Sequence, residues 1–213
     1  MRRILLTVVA LLFVISVSSG CSGSSSSNME TLRFGRYGGE DIEWIVLKKD
    51  GSSELIISRY AIDAIPLNED WVDTTWETSS LRKWLNNGFI EAAFSQEELN
   101  KILPAHLSNP DNPSYGTPGG NDTDDRVYLL SNEEAEALFE SDDLRKTAPT
   151  SYAESRGGQK HINGMIYWWT RTPGCEGRSV SFVHSAGYVN DRGRGVTDYS
   201  IGVRPAMWIK TGQ

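Results

Sequence analysis

The chain has 213 residues, with 21 Lys and Arg against 28 Asp and Glu, which gives a formal net charge of −7 at pH 7. This length suffices for one domain with a sizeable core but is short for two. The acidic balance argues against nucleic acid and against anionic lipid as partners, because both are polyanions. Only two cysteines are present, so the chain lacks the disulfide framework typical of small exported domains.

The first 20 residues have the pattern of an export signal. Arg2 and Arg3 precede an apolar run over residues 4–17, and small residues follow as far as Gly20. The run is shorter than the roughly 20 apolar residues that a membrane-spanning helix needs. We therefore predict that residues 1–20 are a signal peptide that is removed on export.

The cysteine that follows predicts a lipid anchor. Gly20-Cys21 resembles a bacterial lipobox, in which the thiol is acylated and becomes the first residue of the mature protein. Ser18 stands where lipoboxes usually carry Leu, so secretion without a lipid is the alternative. Residues 21–30 are rich in Ser, which is typical of a flexible tether. We expect an extracytoplasmic protein, held at the cell membrane only by the lipid on Cys21, with a single domain over residues 31–213.

A β-hairpin is the first predicted element of that domain. Apolar and more polar residues alternate along residues 42–47, and Asp50-Gly51 supplies a turn before residues 55–58 return. A polar loop follows, and it holds two tryptophans that we expect to be exposed, Trp71 and Trp76. Four other tryptophans lie on periodic apolar faces and are predicted core residues: Trp44, Trp84, Trp168 and Trp208.

Helices are predicted in the middle of the chain. The apolar residues of 81–85 recur at helical spacing, behind a Ser/Thr cap and before an Asn-Gly stop, and residues 89–94 extend the helical tendency beyond it. Capping boxes, in which a Ser and a Glu three residues later cap each other's backbone, open two more helices near residues 95–103 and 131–139. A short strand is predicted at residues 127–130. From Met165 to Lys210, short aromatic-rich runs broken by turn formers predict several packed strands joined by structured loops.

The long loop of residues 108–125 contains an acidic cluster. Calcium requires several oxygen ligands, and the loop offers them from Asp111, Asp122, Asp124 and Asp125. Counted from Asp122, however, Val127 stands at the sixth position, where the EF-hand carries Gly, so the EF-hand pattern is absent. Turn formation, or an ion pair of Asp125 with an arginine, is the alternative interpretation. We therefore predict no cofactor, with calcium at these acids as the alternative.

Patterns for catalysis are sparse. His106, His161 and His184 are far apart, and none belongs to an HExxH or HxH pattern, which favours surface or structural roles. No GxSxG motif for a nucleophilic Ser occurs. Cys175 follows a Pro-Gly turn and has arginines nearby, so it is either a reactive thiol or a small half-buried residue. The sequence therefore favours a noncatalytic protein, with a hydrolase or thiol enzyme at Cys175 as the less favoured alternative.

Six ordered segments, which together span nearly all of residues 31–210, carry a family resemblance: FGRYGGEDIEWIVL, LIISRYAID, TWETSSLRKWLN, GGNDTDDRVYLLS, WWTRTPG and GVRPAMWI. The set resembles a bacterial domain of unknown function found in exported and surface proteins of Gram-positive bacteria. Its closing pattern is also similar, more weakly, to the end of the C-type-lectin-like fold, as in formylglycine-generating enzymes and the variable proteins of diversity-generating retroelements.

The resemblance implies an α+β, C-type-lectin-like fold in which N- and C-terminal strands pair in one sheet, with helices packed beside it. It implies a structural role for Arg204, which would be buried and paired with Asp125 or Glu77. The copper chemistry of formylglycine-generating enzymes uses two cysteines, and only Cys175 is left once Cys21 carries a lipid. Oxidase activity is therefore not expected.

Function does not follow from a fold alone. We expect a noncatalytic module that binds an extracellular glycan or protein through loops of its C-terminal half. A structural role in a surface assembly is the main alternative. The predicted ligand-binding residues are aromatic, Arg and Asn side chains: Trp71, Trp76, Arg171, Tyr188, Asn190, Arg192 and Tyr199.

Overall fold

The computed structural model of the protein describes residues 29–212. The predicted signal peptide over residues 1–20 and the predicted lipid site at Cys21 lie outside the described residues. Within residues 29–212, the structure has no helix of the length and apolar character that crossing a membrane requires.

Strands dominate the described chain, and the helices are short. The strands are β1 Thr31–Tyr37, β2 Glu40–Asp50, β3 Ser53–Ser58, β4 Asp63–Ala64, β5 Ile102–Leu103, β6 Ala105–Leu107, β7 Thr123–Asp125, β8 Trp168–Pro173, β9 Ser179–Val183, β10 Val189–Gly195, β11 Gly202–Val203 and β12 Ala206–Lys210. The helices are α1 Ser80–Trp84, α2 Ile90–Ala93, α3 Gln96–Leu99, α4 Asn132–Leu138, α5 Asp142–Arg145 and α6 Ser151–Ser155, and a π-helix, Leu85–Phe89, joins α1 to α2. The predicted α+β class is confirmed.

The first sheet joins the two ends of the domain. Its order is β1-β2-β3-β12-β5, and all neighbours are antiparallel. The β2–β3 hairpin turns at Gly51, whose φ of 56° lies in the left-handed region that favours glycine. β12 then pairs with β3 through partners such as Met207 and Ile56. The predicted sharing of one sheet by N- and C-terminal strands is confirmed.

The second sheet carries most of the C-terminal third. Its order is β10-β9-β8-β11-β4, and β11 runs parallel to β8 but antiparallel to β4. A separate pair, β6–β7, closes the long loop of residues 108–122. The loop between β10 and β11 therefore emerges beside the segment that follows β4, which is the geometry that builds the cleft described below.

The predicted helices form, but with different ends. Ser79 caps α1, and both predicted capping boxes, at Ser95 and at Ser131, are present. The expected stop at Asn-Gly is wrong, because the chain continues through the π-helix and buries Phe89 and Ile90. The helix predicted to reach residue 103 ends at Leu99, since Ile102 joins the sheet beside β12.

A single hydrophobic cluster connects both sheets and the helices. Trp44 and Trp168 are fully buried, as predicted, whereas Trp84 and Trp208 are only partly buried. The segment 127–130 is buried but forms only one isolated bridge, from Tyr128 to Ala206, so the predicted strand is wrong there.

Arg204 is buried in this core, as expected, but its expected partners are wrong. Its guanidinium lies between the rings of Phe139 and Trp168, 5.2 Å and 5.1 Å from their centroids. Its Nε and Nη1 groups donate to the backbone oxygens of Ser58 and Arg145, at 2.8 Å and 3.0 Å. Aromatic faces and carbonyl dipoles thus take the place of a carboxylate.

Candidate functional site

An open cleft of about 370 Å³ lies beside the loop that joins β10 to β11. Four separated parts of the chain line it: the end of β4 with the segment after it, helix α1, the loop that follows α6 and the loop that follows β10. Its lining residues are Ala64, Ile65, Pro66, Glu69, Ser80, Trp84, Arg156 and Tyr199. This set combines apolar and aromatic walls with a few polar groups, which is the usual composition of a small-ligand site.

Trp84 forms one wall of the cleft. It is the last residue of α1, whose first turn is capped by the Ser79 hydroxyl. Its ring packs against Phe89, 5.2 Å between centroids, and meets the ring of Tyr37 edge-on at 6.0 Å. These neighbours hold the indole in one orientation while part of it faces the cleft.

Tyr199, a predicted ligand-binding residue, forms the other wall and is 67% exposed. The preceding Asp198 fixes its loop, because the Asp198 carboxylate accepts from the Ser200 N–H at 2.9 Å and from its hydroxyl at 2.6 Å. Asp198 also pairs with Arg194 of β10 at 3.3 Å. Gly157 faces the ring with a φ of 108°, a conformation that L residues rarely adopt. The wall is therefore positioned by its own loop and by the end of α6.

The polar groups of the cleft are a carboxylate, a guanidinium and a hydroxyl. Glu69 is exposed at the rim, and its N–H donates to the Ser80 hydroxyl at 3.1 Å. Arg156 is anchored from behind by the buried carboxylate of Asp63, with Nε to Oδ1 at 3.6 Å. The cleft therefore offers planar donors and acceptors next to aromatic surface.

A second aromatic surface, which we call the aromatic ladder, consists of His161, Tyr167, His184, Tyr188 and Arg194. The rings of His161 and Tyr167 stack at 4.1 Å, and those of His184 and Tyr188 stack at 4.5 Å. Tyr167 and His184 approach at 4.5 Å, and the Arg194 guanidinium lies 5.3 Å from the Tyr167 ring. Because Arg194 also holds Asp198, the ladder and the Tyr199 wall are connected.

The hydrogen bonds of His184 fix its neutral form. Its Nδ1 accepts from the Ala186 N–H at 3.1 Å, so the ring proton lies on Nε2 and is donated to the Tyr167 oxygen at 2.8 Å. Burial, followed by the neighbouring His161 and Arg194 charges, lowers the pKa of His184. Burial and Arg194 likewise lower the pKa of His161. Both imidazoles are therefore neutral at pH 7.

Another cleft, of about 400 Å³, lies at the N-terminal hairpin and is lined mainly by charged side chains. Several of those charges are paired: Arg36 pairs with Asp41 inside the lining, and Glu43 pairs with Arg59 just outside it. Exposed pairs of this kind contribute little to binding or stability. We therefore place the candidate site at the cleft between Trp84 and Tyr199.

The predicted binding residue Trp71 lies on a separate surface. Its side chain is 52% exposed, in agreement with the prediction of exposure, and Arg178 lies 5.6 Å from its ring. A Cβ atom added at Gly195 would come within 2.5 Å of the indole, so the ring lies flat on the backbone of β10. Val72 beside it is also exposed.

Two other predicted binding residues are buried, which corrects their expected exposure. Trp76 is 1% exposed, and its Nε1 donates to Asp125 at 2.9 Å. Arg171 is 6% exposed and is paired with Glu134. The sequence around Trp76 and Arg171 gives no indication of these partners, because each bond joins residues that are far apart in the chain.

Asn190 and Arg192 are the remaining predicted binding residues. Asn190 is half-buried, and its side-chain oxygen accepts from the Gly193 N–H at 3.1 Å within β10. Arg192 is exposed, and its backbone oxygen accepts from Cys175. Neither residue lines the cleft. The structure therefore brings only Tyr199 of the seven predicted residues to this cleft.

The acids of the long loop have several partners, and Asp122 and Asp124 share one of them, His106, at 3.6 Å and 2.9 Å. Asp111 accepts from the Gly119 N–H at 3.1 Å, Asp122 from the Asn109 N–H at 3.1 Å, and Asp124 contacts His106 at 2.9 Å. Asp125 pairs with Arg82 at 2.7 Å, so it has the arginine partner that the sequence suggested. Across residues 29–212, no three His, Cys, Asp or Glu side chains are grouped so as to hold a metal ion. Calcium binding by this loop stays a prediction.

Cys175 is a free, half-buried cysteine. In the described part of the chain, its Sγ has one hydrogen-bonding neighbour, the Ser179 hydroxyl at 3.9 Å. No His or acidic side chain among residues 29–212 forms a hydrogen bond with it. A reactive thiol at Cys175 stays a prediction.

Comparison with known proteins gives a family but no relative of known activity. A family model described as a domain of unknown function (DUF6273) matches residues 51–211. The chain belongs to this family. No curated protein and no solved structure matches the chain. The matched DUF6273 region includes all eight residues that line the cleft but excludes β1 and β2.

Sequence reasoning missed most of the residues that build the site. Glu69 and Arg156 of the cleft were not singled out, and Trp84 was assigned to the core. For His161 and His184 of the ladder, the sequence predicts surface or structural roles and does not indicate that the two are neighbours. Sequence patterns could not predict the cleft or the ladder, because each is built from residues that are far apart in the chain and that the fold brings together.

Proposed function

We propose that the protein is a noncatalytic module that binds an extracellular glycan in the cleft walled by Trp84 and Tyr199. The observation that supports this most is the meeting of two aromatic side chains with Glu69, Arg156 and Ser80 at one open cleft. Aromatic side chains offer large, rigid apolar surface on which the C–H face of a sugar ring can pack. Planar carboxylate and guanidinium groups can each bond two neighbouring hydroxyls.

The size and openness of the cleft also fit this function. A volume of about 370 Å³ lies near the lower end of the range for small-ligand sites, roughly 300–1,000 Å³. That space admits one or two sugar units of a longer chain. Because the cleft is open to solvent, the remaining sugar units of a polymeric glycan can extend out of it.

We extend the proposal to location and fold. The signal-like residues 1–20 and the lipobox-like Cys21 support a lipoprotein held outside the cytoplasm, with residues 21–30 as its tether. The sheet shared by N- and C-terminal strands supports a C-type-lectin-like arrangement of this domain. The bacterial, Gram-positive origin suggested by the sequence resemblance belongs to the same proposal.

A second candidate function is assembly with another surface protein. It is favoured by the exposed pair Trp71 and Val72 with Arg178 alongside, since Trp and Arg are enriched at the centres of protein interfaces. This surface is separate from the cleft, so the two functions can be tested by different substitutions.

Glycan-array binding, followed by titration calorimetry with the best ligand, tests the proposed function. Tyr199→Ala removes one wall and should weaken binding at least about tenfold, or 1.4 kcal/mol. The matched control is Tyr115→Ala, which removes an exposed tyrosine that does not line the cleft. Repeating the titration with a calcium chelator tests the calcium alternative. A blank array with a folded protein, or equal effects of the two substitutions, would contradict the proposal.

A further inference from the structure

We propose that the cleft selects glycans that carry a protonated amine, the chemistry of an amino sugar without its acetyl group. This inference rests on the proposed glycan-binding function and names the class of sugar. Three features of the described residues support it: the charge balance of the cleft, the position of its carboxylate, and its aromatic walls.

The positive charge of Arg156 is already balanced. Its Nε lies 3.6 Å from the carboxylate of Asp63, which is 1% exposed. Asp63 is held in place by two further donors, the Tyr37 hydroxyl at 2.6 Å and the Ala64 N–H at 2.7 Å. Burial and the adjacent Asp63 raise the pKa of Tyr37, so the phenol remains a donor at neutral pH. Asp63 and Arg156 therefore form a neutral pair in which Asp63 lies behind the cleft and the Arg156 guanidinium lines it.

The negative charge of Glu69 has no such balance. Among residues 29–212 no Lys, Arg or His nitrogen lies within 4.0 Å of its carboxylate. The bond from its N–H to the Ser80 hydroxyl fixes its backbone at the rim of the cleft. When the buried Asp63 behind Arg156 is counted with the two charged residues that line the cleft, Glu69 and Arg156, the local sum is one negative charge, on a protein that is acidic as a whole. A carboxylated or sulfated sugar would be repelled, whereas a cation would be attracted.

The aromatic walls favour the same kind of ligand. An ammonium group over the face of Trp or Tyr is attracted by the negative π-face of the ring. Trp84 and Tyr199 both line the cleft that contains Glu69. A sugar amine can therefore meet a carboxylate and an aromatic face together, while Arg156 bonds ring hydroxyls. N-acetylation removes the charge and with it both attractions.

The experiment compares two ligands that differ only in acetylation. Titration calorimetry at about pH 6, where amines of this type are protonated, measures binding of a glucosamine oligomer and of the matching N-acetylglucosamine oligomer. We expect the free-amine oligomer to bind at least about tenfold more tightly, or 1.4 kcal/mol. Equal binding of the two oligomers, or tighter binding of the acetylated one, would overturn the inference but leave the proposed function standing.

Two charge variants complete the test. Glu69→Gln keeps the shape of the side chain and should abolish the preference for the free amine. Glu136→Gln makes the same charge change at an exposed residue of α4, outside the cleft, and should retain the preference. If Glu69→Gln keeps the preference, attraction to the whole acidic protein explains it and the inference fails. If the folded wild type binds neither oligomer nor any other glycan, the proposed function fails instead.

Discussion

Arg204 shows how a single residue can carry a charge in the core without an acidic partner. Burial lowers its pKa to about 9, which still leaves the guanidinium charged at pH 7. Carbonyl oxygens and two ring faces replace the expected acid, while Asp125 is occupied by Trp76 and Arg82. The family resemblance implied that Arg204 is buried, and the structure confirms it. Its partners could not be predicted, since they are backbone groups and rings from distant segments.

We expect Arg204→Ala to lower the free energy of unfolding by about 3 kcal/mol or more. The substitution leaves a cavity between Phe139 and Trp168 and removes the donors to two buried carbonyls. Urea unfolding followed by tryptophan fluorescence measures the change. A loss below about 1 kcal/mol would show that the core closes around the missing side chain.

His161 should make the protein less stable in mild acid. Its pKa is lowered in the folded state, so its contribution is fully present above the unfolded pKa of about 6.5 and is lost as pH falls through the folded pKa. We therefore expect stability to decrease from about pH 7.5 to pH 5, and His161→Phe, which keeps a stacking ring, to reduce that decrease. Urea unfolding at both pH values gives the comparison.

His106 provides a control of opposite sign for this pH dependence. Asp124 raises its pKa, so its contribution is present below the unfolded pKa and is lost as pH rises. His106→Asn should therefore make the loss of stability in acid steeper. If the stability of His161→Phe depends on pH as that of the wild type does, protonation of His161 does not destabilise the fold and the prediction is wrong.

Among the helices and strands, features that depend on neighbouring residues were predicted correctly, whereas features that depend on distant contacts were not. The capping boxes at Ser95 and Ser131 depend on contacts within four residues, so the sequence specifies them directly. The continuation of α1 through the π-helix depends on burying Phe89 against rings such as Tyr37. An Asn-Gly signal for a helix end cannot outweigh that packing. Helix ends that depend on distant contacts were accordingly misplaced.

The capping box of α4 should contribute measurably to stability. In Ser131→Ala the Glu134 N–H loses its acceptor, so we expect the free energy of unfolding to fall by about 1 kcal/mol. Ser52→Ala, at an exposed turn position, serves as the control and should change stability by less than about 0.5 kcal/mol. Thermal and urea unfolding of both variants test this, and equal stabilities would contradict the assigned cap.

At the scale of the whole molecule, the fold brings together what the sequence separates. The family resemblance implied that both chain ends share one sheet, and the alternation in β2 and the aromatic runs of the C-terminal third agree with that arrangement. The sequence could not predict that the loop after β10 lies beside Glu69 and Trp84, because these residues are far apart in the chain and no motif links them. Tyr199 was predicted as a binding residue because it is an aromatic residue in a loop of the C-terminal third. Arg156 lies in no motif that would single it out.

The location of a bound glycan tests the central claim most directly. Titration of isotope-labelled protein with a glucosamine oligomer, followed by NMR, reports which side chains the ligand approaches. We predict chemical-shift changes at the Trp84 indole, at Arg156 and in the loop around Tyr199. Changes confined to the Trp71 surface or to the aromatic ladder, with none at the cleft, would contradict the account.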